Sequence, residues 1–153
     1  MVKQFYGVNI AVKDLDTAVK KYGAILGVPA VPTEPSHFAF PGLKGASFHL
    51  GDVTIQLISS DNPETAVYKF VESRGEGVFL LSLRVDNLEK DMQDLTANGV
   101  KLVSDKPLTY SSGTVNFGHP KSLHGVQIEF IQPNQQKIEA GGSRNRARPP
   151  VVC

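Results

Sequence analysis

The sequence predicts an α+β protein built from two copies of one module, a strand, a helix and three further strands. Two internal likenesses carry that prediction. The segments Val53-Thr54-Ile55-Gln56-Leu57-Ile58 and Gly125-Val126-Gln127-Ile128-Glu129-Phe130-Ile131 share an apolar pattern with one polar group at the centre, Glu129 lying 73 residues after Gln56. The same offset pairs Val12 with Val85, Leu15 with Leu88 and Leu57 with Phe130, and it lays the first strand, 7–12, on 80–85. A period this long, occurring twice, is a duplicated module and not a solenoid repeat.

Each element follows from local pattern. From Gly7 to Val12 the chain alternates, so Gly7, Asn9 and Ala11 share one face of a strand and Val8, Ile10 and Val12 the other. Asp14 then precedes a helical stripe of Leu15, Ala18, Val19, Tyr22 and Leu26, which Gly27 closes. Residues 28–45 are rich in Pro and Gly, with Phe38-Ala39-Phe40 expected as a short edge strand. Ala46 to Leu50 reads as a strand, and Gly51-Asp52 turns into the Gln56 strand. A short helix is expected from Asn62-Pro63-Glu64 through Phe70 and Val71, ending near Gly75-Glu76-Gly77. The second module opens with 78–85, continues with a helix carrying Leu88, Met92 and Leu95, and stops at Asn98-Gly99. Val100-Lys101-Leu102-Val103 and 113–117 read as strands, Thr109 to Gly113 as a turn, and 119–124 as a loop before the Glu129 strand.

At 153 residues the chain is long enough for a sizeable core, and 41% hydrophobic with 20% charged residues is ordinary for a soluble domain. The expected domain is 1–132, with modules at about 5–60 and 78–132, and 133–153 is expected to be a disordered tail. A net charge of +1 gives no nucleic-acid footprint, and no apolar run is long enough to span a membrane. The first residues lack the apolar core of a signal peptide, so the cytoplasm is the expected compartment. Cys153 stands alone, which rules out an internal disulfide and a cysteine-based zinc site.

Glu129 needs the most explanation, because an ionised carboxylate inside an apolar strand costs several kcal/mol without a cation, a metal or donors. The stretches Ile10-Ala11-Val12-Lys13-Asp14-Leu15-Asp16, Lys69 to Gly77 with its Arg-Gly-Glu-Gly, His119-Pro120-Lys121-Ser122 and Gly125 to Glu129 resemble the vicinal oxygen chelate superfamily. This is the glyoxalase and bleomycin-resistance fold of paired βαβββ modules, and the likeness is greatest to methylmalonyl-CoA epimerases. The resemblance implies a curved mixed sheet around a cavity, a small-molecule substrate and a homodimer, which the exposed sheet edges also favour. In such epimerases four residues, one from each of four strands, hold a divalent metal that stabilises an enolate. Carried over, two of them land on Gln56 and Glu129, and the two histidines land on Gly7 and Leu80, which offer no side-chain donor. The family's catalytic glutamate falls near Leu43 and Lys44, where no acid stands.

The expected site is therefore metal-free, with Glu129 as acid/base and Gln56 or Asn9 donating to an oxyanion. Desolvation is expected to raise the Glu129 pKa towards neutrality. Strand parity adds Gln127, Leu80, Ser82 and Arg84 to the substrate-binding wall, with His49 and Tyr110 as further candidates. His37, His119, His124, Lys121 and Ser122 read as loop residues. The leading expectation is a cofactor-independent isomerase or lyase moving a proton on a small, largely apolar oxygenated substrate. The alternatives are a metal-free binding protein of resistance type, or an acyl-CoA epimerase or glyoxalase-like enzyme holding a divalent metal through Gln56 and Glu129.

Overall fold

The computed structural model describes residues 1–38 and 40–134. Module one contributes β1 (Val2–Ala11), α1 (Leu15–Leu26), β2 (Val31–Pro32), β3 (Leu43–Leu50) and β4 (Val53–Ser60). A connecting helix, α2 (Ala66–Arg74), leads to module two: β5 (Gly77–Val85), α3 (Leu88–Ala97), β6 (Leu108–Tyr110), β7 (Gly113–Gly118) and β8 (Ile128–Pro133). All eight strands form one curled mixed sheet in the order β2-β3-β4-β1-β5-β8-β7-β6. The two halves mirror one another about the antiparallel β1–β5 pair: β4 runs parallel to β1, and β8 runs parallel to β5.

The duplicated pattern becomes a duplicated register. Asn9 stands beside Gln56 in the first half and Ser82 beside Glu129 in the second, and each of these pairs is related to the other by the 73-residue offset. Gly7 faces Ser82 and Asn9 faces Leu80 across the central pair. Register shifts interrupt β1–β5, one of them between Phe5 and Gly7, and Tyr6 joins the buried inner cluster there.

The helices divide the two faces. The Asp14 carboxylate caps α1 by accepting from the Thr17 amide at 3.0 Å, and Gly27 closes it at φ 68°, in the left-handed region that glycine enters without strain. The α1 stripe packs on Val12, Phe48 and Leu57 on the outer face of module one. In the same way Asn87 caps α3, whose Leu88 and Met92 pack on Val85 and Phe130 behind module two. By contrast α2, capped by Thr65, turns Val67 and Val71 into the inner cluster of Ala11, Ile58, Phe79 and Leu80. It closes one end of the concave face.

Four expected elements differ. The edge strand is Val31–Pro32, paired with Ser47 and Ala46; Pro35 begins a 3-10 turn, so Phe38 and Phe40 lie outside any strand, and Ala39 lies outside the described residues. Of the strand expected at Val100–Val103, a single bridge from Leu102 to Gly118 forms. The turn expected from Thr109 is instead the end of β6, with Ser111 and Ser112 making the hairpin. The connecting helix begins at Ala66, because Thr65 supplies its cap. Of the expected tail, 135–153 lies outside the described residues. Among the described residues no helix is long and apolar enough to cross a membrane.

Candidate active site

The concave face concentrates polar side chains where the sheet is best covered. Asn9, Thr54, Gln56, Ser82 and Glu129 are all 0% exposed. The Ser82 hydroxyl donates to Glu129 Oε1 at 2.7 Å, across the parallel β5–β8 pair that sets the two residues side by side. In the equivalent place of module one, Gln56 Nε2 donates to Thr33 Oγ1 at 2.7 Å. That contact depends on Gly45, because a Cβ there would stand 2.6 Å from Gln56 Nε2 and 2.8 Å from the Leu57 carbonyl oxygen.

His49 shares the inner parity of Ser47, opposite Gln56, and its Nδ1 lies 3.3 Å from Thr54 Oγ1. It therefore faces the concavity, half-buried, at the β3–β4 hairpin end. Tyr110 is buried on the same face from β6. Burial pushes its phenol well above the ordinary tyrosine range, helped by the negative charge of Glu129 and then by Tyr6. Leu80 is 1% exposed and adjoins the cluster as an apolar wall. The Arg84 position is a correction: its side chain is 45% exposed and its guanidinium lies 3.9 Å from Asp86. It leaves the covered part of the face near the end of β5, where solvation of a cation is cheaper than burial beside a carboxylate. Ser122 and His119 are likewise engaged locally, Ser122 Oγ accepting from the Lys101 amide and His119 Nδ1 from the Lys121 amide.

An apolar pocket of about 330 Å³ opens beside the polar cluster, lined by Phe40, Pro41, Leu43, Phe79, Phe117 and Gln127 with the start of α2. None of Asn9, Gln56, Ser82 and Glu129 lines it directly. The link is Phe117, whose register partner is Glu129. Above the cluster the loop after β2 bridges the modules. Phe38 is buried within the inner core, Phe40 stacks 6.2 Å from Phe117, and the Ser111 hydroxyl donates to the Ser36 carbonyl at 2.9 Å. Thr33, Gly45, Tyr6, Phe38 and Phe117 were not legible as site residues, since each acts by what it covers or contacts across the sheet.

The four positions that the resemblance assigns to metal ligands are Gly7, Gln56, Leu80 and Glu129, and among the described residues no group of three or more His, Cys, Asp and Glu comes together. Two donors do not fit a four-ligand centre for a transition metal.

Residues 7–117 match the family described as the Glyoxalase/Bleomycin resistance protein/Dioxygenase superfamily. The chain belongs to this superfamily. Among curated proteins, YqjC of Bacillus subtilis, itself uncharacterised, is 25% identical over 127 residues, covering 82% of this chain and 89% of that protein. Among solved structures, the methylmalonyl-CoA epimerase of Mycobacterium tuberculosis superposes with a TM-score of 0.78 at 30% identity, covering 88% of this chain and 90% of that one. A variant of the Streptomyces coelicolor methylmalonyl-CoA epimerase in complex with 2-nitronate-propionyl-CoA superposes with a TM-score of 0.79 at 25% identity, covering 88% of this chain and all (100%) of that one. The superfamily fold, with epimerase-like neighbours, is thus the setting in which the buried Glu129 has to be interpreted.

Proposed function

We propose that this protein is a proton-transfer enzyme of isomerase type, with Glu129 as its acid/base, acting on a small, largely apolar substrate that carries a carbonyl or epoxide oxygen. The observation that supports the reading best is a wholly buried carboxylate, hydrogen-bonded by Ser82 and set behind the wall of an apolar pocket. A carboxylate shielded from water and positioned by the Ser82 hydrogen bond is suited to take a proton from a bound substrate and return it. Gln56, Asn9 and His49 line the polar side of the concavity, while Leu43, Phe79, Phe117 and Gln127 hold the apolar part of the substrate. No step is routed through a metal, since Gly7 and Leu80 give no donor.

An acyl thioester is the first substrate to try. A Streptomyces coelicolor relative is seen with 2-nitronate-propionyl-CoA, and this chain keeps a Gln and a Glu at two of the positions the resemblance assigns. The test is deuterium uptake from D₂O into methylmalonyl-CoA, propionyl-CoA and cyclohexene oxide, followed by NMR and mass spectrometry. Uptake into one of them that disappears in Glu129→Gln supports the reading; equal uptake in the variant sinks it.

A further inference from the structure

A carboxylate that removes a proton beside a carbonyl needs a second group to hold the charge that gathers on oxygen. Gln56, the first candidate in the sequence, is less well set for this: one of its two Nε2 hydrogens is given to Thr33 Oγ1, which fixes the amide, and the atom left without a partner is Oε1, an acceptor. A donor is what the reaction requires.

Tyr110 has one to give. It sits at the end of β6 on the inner face, 9% exposed, in one apolar cluster with Tyr6, Val115, Phe117 and Ile131. Its hydroxyl is buried and makes no hydrogen bond among the described residues. An orphaned buried hydroxyl destabilises a fold, so its retention calls for a partner that the folded chain does not supply. In register Tyr110 stands opposite Gly113 at the far end of β7, and its ring reaches back along the inner face to pack in one cluster with Phe117, the register partner of Glu129, and with Ile131, two residues beyond Glu129 on β8. Because burial and the Glu129 charge hold the phenol neutral far above its usual range, it stays a donor at every working pH.

We propose that Tyr110 is a catalytic residue, donating its O–H to the substrate oxygen on which negative charge develops while Glu129 takes the proton from the adjacent carbon. This deepens the proton-transfer reading and rests on it. In the step, the C–H bond breaks and an O–H bond forms on Glu129. The C–H electron pair becomes the new carbon–carbon π bond, and the carbonyl π pair moves to oxygen, where Tyr110 holds it by a hydrogen bond without surrendering its own proton. Return of the proton to carbon regenerates both side chains. The substrate class follows: the reactive end is a carbonyl such as a thioester or ketone, whose oxygen accepts from a neutral phenol as charge develops on it.

The decisive variant is Tyr110→Phe, which keeps the ring and removes the orphaned hydroxyl. For whichever of methylmalonyl-CoA, propionyl-CoA and cyclohexanone exchanges deuterium with the unaltered protein, exchange is expected to fall about 100- to 1,000-fold, the worth of an oxyanion donor. The melting temperature is expected to be unchanged or higher, since no bond within the protein is lost; a structural tyrosine would give the opposite pair of results. Exchange within about threefold of the unaltered protein, alongside loss in Glu129→Gln, overturns the role of Tyr110 and leaves the proton-transfer reading standing. No exchange of any probe by the unaltered protein overturns both. Calorimetric binding of 2-nitronate-propionyl-CoA, whose charged oxygens imitate an enolate, is expected to weaken about tenfold or more in Tyr110→Phe, as befits a hydrogen bond to a charged group. Equal binding overturns the proposal.

Discussion

Gly45→Ala is the substitution whose consequence can be worked most fully from the coordinates. The added methyl carbon would stand 2.6 Å from Gln56 Nε2, 2.8 Å from the Leu57 carbonyl oxygen and 3.1 Å from Phe38 Cζ. Carbon does not pack at the first two distances, so something must move. The Leu57 carbonyl belongs to β4, inside the paired β3–β4 ladder, and yields only if the register Gly45↔Ile58 and Ala46↔Leu57 is disturbed. The Gln56 amide is freer, yet moving it breaks the 2.7 Å bond to Thr33 in a wholly buried place. Overpacking of this kind costs about 1–3 kcal/mol, and an unpaired buried amide roughly another 1–3 kcal/mol. The sum, on the order of 2–6 kcal/mol, corresponds for a domain of this size to a fall in melting temperature of roughly 4–24 °C. Urea and thermal denaturation followed by circular dichroism measure it. Removing the amide as well, in Gly45→Ala with Gln56→Ala, relieves the shorter contact, so the two substitutions should couple by about 1 kcal/mol or more. A Gly45→Ala protein within about 0.5 kcal/mol of the unaltered one, or a double variant that is simply additive, would refute the placement of Gln56 against β3.

Two further predictions concern the second half of the site. Ser82→Ala removes the donor to Glu129 Oε1 at 2.7 Å, and chemical denaturation should report a loss of about 1–3 kcal/mol at unchanged m-value, whereas no loss would mean that the two groups do not share that bond. The raised phenol of Tyr110 makes stability depend on alkaline pH: above the ordinary tyrosine value of about 10 the unfolded chain releases a proton that the folded one keeps. Stability should then be full below that value and decline by about 1.4 kcal/mol per pH unit above it. Tyr110→Phe should flatten that decline and leave the phenolate absorbance gained by the folded protein unchanged; a drop in absorbance by one tyrosine would show that Tyr110 ionises while folded.

Much of the fold was legible because it is written twice. The shared offset ties Gln56 to Glu129, and the same offset relates their register neighbours Asn9 and Ser82. Helix ends were legible where stop and start signals are local, as at Asp14, Gly27 and Asn98-Gly99. What failed was short or tertiary. β2 is two residues long and ends in proline, so it has no periodicity to detect, and it forms because β3 offers a partner. Val100 to Val103 has strand composition, but only Leu102 meets a bridging partner there. Arg84 has the parity of the inner face, and parity cannot say how far along a strand the cover extends. The contacts that shape the site, Thr33 on Gln56 and Phe38 over the cluster, join residues far apart in sequence and lie in a Pro-rich loop without a pattern.

The chemistry assigned to Glu129 is tested most directly by deuterium incorporation at substrate carbon in D₂O, comparing the unaltered protein with Glu129→Gln at matched folded concentration. Proton transfer by this carboxylate predicts uptake into an acyl thioester or another of the carbonyl or epoxide probes, reduced by about 100-fold or more in the variant, the lower end of what a positioned acid/base contributes. Uptake that is the same in both proteins would contradict it, and Glu129 would then be a buried structural group held by Ser82.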